Sequence, residues 1–129
     1  MLKSLIPQKY CLILSTESII ILLVMALLKT SFAEEILFRG FIAKRLMSWL
    51  GYQAGNIVQA FLFGLMHSAL FATMTSNIFF LIFITVFPSL GAYVSVYLNE
   101  KVANGSIIPG WIAHGLANVV AYSVVGFII

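Results

Sequence analysis

Charge is what this sequence has least of. Seven Lys and Arg and four Asp and Glu are its only formal charges in 129 residues, whereas a soluble domain gives about a quarter of its positions to charge. Eleven charges cannot coat a soluble surface, and 62% of the residues are hydrophobic. That excludes an ordinary cytosolic domain and a disordered tail. The net charge of +3 invites a nucleic-acid reading. The basic residues are scattered, however, so no stripe can follow a phosphate backbone, and no nucleic-acid partner is expected. Cysteine is scarce as well. Cys11 alone excludes an intrachain disulfide and a cysteine-based zinc site, and it reads as an apolar filler. Repeats, low-complexity tracts and linkers are also missing. What remains is a small polytopic membrane protein.

The few charges divide the chain. Residues 10–28 lie between Lys9 and Lys29 and are interrupted only by Glu17. The 54 residues between Arg45 and Glu100 carry no charge, nor do the 28 from Val102 to Ile129. A helical span needs about 20 apolar residues, so the middle stretch holds two spans. The polar cluster Thr73, Thr75, Ser76 and Asn77 is the natural turn, giving spans near 55–73 and 77–98. A last span, near 107–128, is entered through Asn104-Gly105-Ser106, with Ser106 as N-cap and Pro109 in the first turn. Strands are not expected, because the runs are long and lack period-two alternation.

These spans and the charged helix at 31–50 predict an all-α, polytopic helical membrane bundle of about five segments with an interior polar site. Residues 1–30 form an N-terminal transmembrane segment, and 31–129 form a core of four helices. With the N-terminus inside, Lys3, Lys9, Lys44, Arg45 and Lys101 fall on the cytoplasmic face and only Lys29 falls outside. The expected location is the plasma membrane, multi-pass. A cleaved signal peptide fits residues 1–33 less well, because the patch Ser15-Thr16-Glu17-Ser18 interrupts the apolar run.

The segment 31–50 contains the costly residues. Glu34, Glu35 and Arg39, left unpaired at mid-membrane, would cost on the order of 8–10 kcal/mol, comparable to the about 5–15 kcal/mol that stabilises a whole protein. Glu35 and Arg39 stand at i,i+4 with the carboxylate first, the better order for an ion pair. Glu34 is turned about 100° away and is the carboxylate free to take a proton. Both histidines also fall inside spans. His67 follows Phe63 by four residues, and His114 precedes Asn118 by four, while Gly64 and Gly115 let neighbouring helices approach. Glu34, His67 and the His114/Asn118 pair can therefore meet in one cavity. They would supply a carboxylate and an imidazole to deprotonate water, and neutral donors to hold an oxyanion. The bland readings are interhelical hydrogen bonds for the histidines and a structural ion pair for Glu35 with Arg39. Two histidines and a glutamate could also ligate zinc, but no His-Glu-x-x-His helix exists and Arg39 disfavours a dication, so neither metal nor cofactor is expected. The expected span boundaries place Glu34 and His114 about 14 Å apart in height.

The run Ala33-Glu34-Glu35-Ile36-Leu37-Phe38-Arg39-Gly40 resembles the Glu-Glu-x-x-x-Arg motif of the CPBP intramembrane proteases, the CAAX-protease and bacteriocin-processing (Abi) family. Phe63-Gly64-Leu65-Met66-His67 resembles the family's Phe-x-x-x-His motif, and His114-Gly115-Leu116-Ala117-Asn118 its His-x-x-x-Asn motif. The three occur in the family's order on separate apolar segments, across roughly residues 30–125. The resemblance implies a glutamate-dependent membrane endopeptidase with no obligatory metal. It assigns water activation to Glu34 and His67, the oxyanion pocket to His114 and Asn118, and orientation of the first glutamate to Glu35 and Arg39.

The expected function is therefore hydrolysis of a peptide bond in a membrane-associated peptide or lipidated protein, at the lipid bilayer. The alternative is a non-enzymatic membrane immunity or binding protein of the same fold, for example in bacteriocin self-immunity. A proton pathway ranks last, because the titratable groups cluster and do not form a file across the membrane.

Overall fold

The computed structural model describes residues 15–127. Lys3, Lys9 and Cys11 lie outside them, as do the start of the first expected span and the basic start of the signal-peptide reading. Regular structure among the described residues is entirely helical.

The segments expected at 10–28 and 31–50 are not separated. One helix, α1, runs unbroken over 16–50, through Thr16–Val24, Met25–Phe32, Ala33–Glu35, Ile36–Ile42 and Ala43–Leu50. Ser15 caps its start, its hydroxyl accepting from the Ser18 amide at 3.1 Å. The polar run Lys29-Thr30-Ser31 does not end the helix because its hydroxyls are satisfied within it. Thr30 Oγ1 donates to the Met25 carbonyl at 2.5 Å, and Ser31 Oγ donates to the Ala26 carbonyl, each five residues back. That reach matches the wider π-type winding of Met25–Phe32. Nor does any glycine or proline stand between Thr16 and Phe32 to break the run. The described residues thus form four helical rods in place of five segments.

α1 stops at Gly51, whose φ of +87° suits glycine and few other residues. Helix α2 follows over Tyr52–Ala72 and α3 over Ile78–Val102, the latter ending in the π-wound turn Leu98–Val102. α4 spans Ile108–Phe127. The Asn77 side chain caps α3 by accepting from the Phe80 amide, and Ser106 Oγ accepts from the Ile108 amide ahead of α4, both at 3.2 Å. The expected end of the third span, residue 98, falls short. The helix continues past Glu100 and Lys101, and its last carbonyls are taken up by the Ala103 and Gly105 amides, which bond Leu98 and Asn99.

α2 packs along α3 and against Ala43–Leu50, while α4 lies on Met25–Phe32. The close approach expected at Gly64 and Gly115 is present. A side chain at Gly64 would run into Ser89 and the Thr85 carbonyl, and one at Gly115 into Leu27. The apolar core is small, comprising Phe38, Ala60, Phe63 and Ala92. The distribution of polarity is inverted relative to a soluble protein. Ser31, Glu35, Arg39, Asn56, Gln59 and Asn99 are buried, while Trp49 is 82% and Phe79 81% exposed. Hydrocarbon outside and paired polar groups inside is the distribution that a lipid solvent selects. α2 and α3 are each long and apolar enough to cross a membrane.

One surface contact joins α1 to the end of α3 and to the loop that leads into α4. Lys44 Nζ donates to Glu100 Oε1 at 2.9 Å and to the Gly105 carbonyl at 3.0 Å. Glu34 and His114 stand at one height, with Glu34 Oε2 3.4 Å from His114 Nε2. The height mismatch expected from the sequence is therefore gone. It followed from starting a new helix near residue 31, which put Glu34 at a helix end, whereas in α1 it lies mid-rod.

Candidate active site

The middle of α1 supplies two adjacent acids. Successive helical residues point about 100° apart, so Glu34 and Glu35 face different surroundings. Glu35 is fully buried, and Arg39, one turn on, is 2% exposed. Arg39 Nε lies 3.3 Å from Glu35 Oε1, the i,i+4 contact that the spacing predicts. The guanidinium also sits over the Phe63 ring, 4.2 Å from its centroid, which gives the cation a π face in a place without water. Glu34 is partly accessible.

His114, from α4, stands between the two acids. Its Nδ1 is 3.0 Å from Glu35 Oε1, and its Nε2 is 3.4 Å from Glu34 Oε2. A carboxylate only accepts, so Nδ1 carries a proton and donates it to Glu35. Nε2 faces the second acid, and the Arg39 guanidinium lies beside the first.

His67, on α2, joins through an aromatic contact. The Phe63 ring lies 4.5 Å from the His67 ring and 5.5 Å from the His114 ring. His67 Nδ1 meets the Phe63 carbonyl at 2.9 Å. A carbonyl cannot donate, so the proton sits on Nδ1 and, in the neutral ring, Nε2 keeps its lone pair. Asn118, one turn beyond His114, donates through Nδ2 to Ser31 Oγ at 3.1 Å. His114 thus contacts both Glu34 and Glu35, Arg39 contacts Glu35, His67 joins through the Phe63 ring, and Asn118 is tied to α1 one turn before the acids. The sequence reading paired His67 with Glu34; the imidazole in contact with Glu34 is His114.

Two residues escaped the sequence reading. Ser31 holds Asn118, and Asn99 is buried at the end of α3 with its Oδ1 accepting from the Gly110 amide at 2.8 Å. Ser31 sits in a polar run that reads as a helix boundary, and Asn99 stands beside Glu100 and Lys101, where it reads as interfacial. Among the described residues, no three His, Cys, Asp or Glu side chains are grouped to hold a metal. A groove of about 280 Å³ between α2 and α3, lined by Ile57, Phe61, Thr85, Val86, Ser89 and Tyr93 among others, includes none of the acids or histidines. Its Thr85 and Ser89 hydroxyls bond carbonyls four residues back in their own helix, so it offers an apolar wall.

A helical bundle that exposes hydrocarbon and has two helices long and apolar enough to cross a membrane is that of an integral membrane protein. Residues 16–120 match the family of type II CAAX prenyl endopeptidases, Rce1-like, and the chain belongs to that family. No curated protein and no solved structure matches it. The family is one of CAAX proteases, in accord with the resemblance of the three motifs to CPBP proteases, and it does not favour the immunity reading.

Proposed function

We propose that this protein is a glutamate-dependent intramembrane endopeptidase that cleaves a prenylated, membrane-associated peptide or protein. The observation that supports this most is His114 bridging Glu34 and Glu35 between two helices, with Arg39 balancing the charge. Glu34 is the accessible acid of the pair, so it is the one to take a proton from water. His67, with Nε2 as its free lone pair, is the second base for that water. The hydroxide adds to the scissile carbonyl carbon. The oxygen that becomes negative is held by His114 Nε2–H and Asn118 Nδ2–H, which turn to it from Glu34 and Ser31 once substrate is bound. The proton taken from water then passes to the leaving amine as the C–N bond breaks. Glu35 and Arg39 hold His114 and balance its charge. The protein works as a multi-pass membrane protein, with the Lys44, Arg45 and Lys101 end of the bundle on the cytoplasmic side.

The test is cleavage of a farnesylated CAAX peptide by protein reconstituted in lipid vesicles. Glu34→Gln and His67→Ala are each expected to lower kcat by about 10²–10⁴-fold with insertion unchanged. Full cleavage by Glu34→Gln overturns the assignment.

A further inference from the structure

Asn99, at the end of α3, is one of the buried uncharged polar residues near the centre. It is 1% exposed. Its backbone carbonyl accepts from the Gly105 amide at 2.7 Å, and its Oδ1 accepts from the Gly110 amide at 2.8 Å. The second contact fixes which way the side-chain amide points. A backbone N–H can only donate, so the atom bonded to the Gly110 amide must be the oxygen, which leaves the NH₂ over the Gly110 Cα. That nitrogen, Nδ2, is buried with no hydrogen-bond partner, and so is Glu35 Oε2. The two atoms face the same small space over Gly110, where a Cβ would lie 2.8 Å from Asn99 Nδ2 and 2.9 Å from Glu35 Oε2. One atom is donor-only and the other acceptor-only, and leaving either unbonded at such a depth is costly. Both of the other holds on Glu35, from Arg39 and His114, fall on Oε1.

We propose that Asn99 is a positioning residue for Glu35, donating from Nδ2 to Oε2, either directly or through one water, while its Oδ1 anchors the start of α4 at Gly110. The carboxylate is then held from both oxygens, by α1 and α4 on one side and by α3 on the other. The consequence falls on His114: a fixed, ionised Glu35 keeps the Nδ1 proton in place and aims Nε2 at Glu34. Gly110 belongs to the same device, because any side chain there would occupy the space the two groups share. The role rests on the proposed assignment of Glu34 and His114 to the reaction.

Asn99→Asp keeps an acceptor for the Gly110 amide and removes both N–H donors at nearly constant volume. The expected result in vesicles is a kcat lower by about 10- to 100-fold, the worth of one hydrogen bond to a charged group, with KM unchanged and the protein eluting as wild type. Wild-type kcat in Asn99→Asp overturns the proposal. Glu34→Gln run alongside separates the two readings. If Glu34→Gln is inactive and Asn99→Asp is not impaired, only the Asn99 role falls; if Glu34→Gln is active, the protease assignment falls. Should Asn99→Asp fail to fold, ¹⁵N-labelled wild type decides. One side-chain amide proton of Asn99 is expected downfield and protected from exchange, relative to the exposed Asn104. Free exchange of both protons overturns the proposal.

Discussion

His114 Nδ1 lies 3.0 Å from Glu35 Oε1, across the interface between α4 and α1, while its other nitrogen faces Glu34. One imidazole thereby couples a buried acid that is already paired to a partly accessible acid that is not. Arg39 neutralises the first, so a proton shared between His114 and Glu34 is the cluster's remaining degree of freedom. Replacing His114 by Ala removes the bridge and leaves two neighbouring carboxylates with one cation. The expected outcome is a fall in kcat of about 10²–10⁴-fold, read by peptide cleavage in vesicles, with the chain still inserted. Cleavage by His114→Ala at the wild-type rate would contradict the arrangement.

The Glu35–Arg39 pair is buried on both sides, and such pairs are asymmetric in their energetics. Removing one partner strands the other charge and costs about 3–5 kcal/mol, while replacing both with apolar or neutral groups costs far less. Glu35→Gln and Arg39→Met should therefore each lower the melting temperature in detergent strongly. The double variant should recover about 1–3 kcal/mol relative to the sum of the two. Strict additivity would show that the two side chains do not interact.

Lys44 and Glu100 make a contact of similar length, 2.9 Å, but their side chains are 41% and 24% exposed. Screening and side-chain entropy reduce such a pair to about 0–1 kcal/mol. Lys44→Ala is expected to shift stability by no more than that, even though it also loses the Gly105 carbonyl contact, and to leave kcat unchanged. A large loss of stability would mean that the loop at 103–107 depends on this one lysine.

Helical spacing made part of the site legible. The i,i+4 relation predicts the Glu35–Arg39 contact, and it places Phe63 with His67 on one face of α2, where their rings do touch. The turn at 73–77 and the Ser106 cap were also readable, because polar clusters and caps act over a few residues. The sequence reading erred where a polar run admits two local solutions. The sequence reading ended one span at 28 and began another helix near 31, yet hydroxyls bonded back to carbonyls make Lys29-Thr30-Ser31 part of a single helix, and that single difference moved Glu34 from a helix end to mid-rod. Asn99 was invisible for another reason. Its partner Gly110 and the acid it faces are brought to it by the packing of three helices, and nothing in the run Leu98-Asn99-Glu100-Lys101 announces that. The pairing of Glu34 with His114 was hidden likewise, since three motifs on separate helices fix which groups meet but not which nitrogen faces which oxygen.

Phe63 is an apolar side chain that touches both histidines and Arg39. It is 3% exposed, it packs on Phe38 at 5.0 Å between centroids, and its ring meets His67, His114 and the Arg39 guanidinium. A leucine there keeps a large apolar group but offers no π face to the cation and no flat edge to the imidazoles. Stability should fall modestly, by about 1–2 kcal/mol, the worth of one desolvated cation–π contact and its ring pairs. Activity should fall further, because small displacements of reacting groups are costly: an error of about 1 Å can cost on the order of 10²-fold. Phe63→Leu is therefore expected to remain folded, as judged by its melt in detergent, while losing at least about tenfold in kcat. Phe63→Ala would not separate the two effects, since the cavity alone costs about 3–5 kcal/mol. A Phe63→Leu protein with wild-type kcat would show that the ring only fills space, and that His67 and His114 find their places without it.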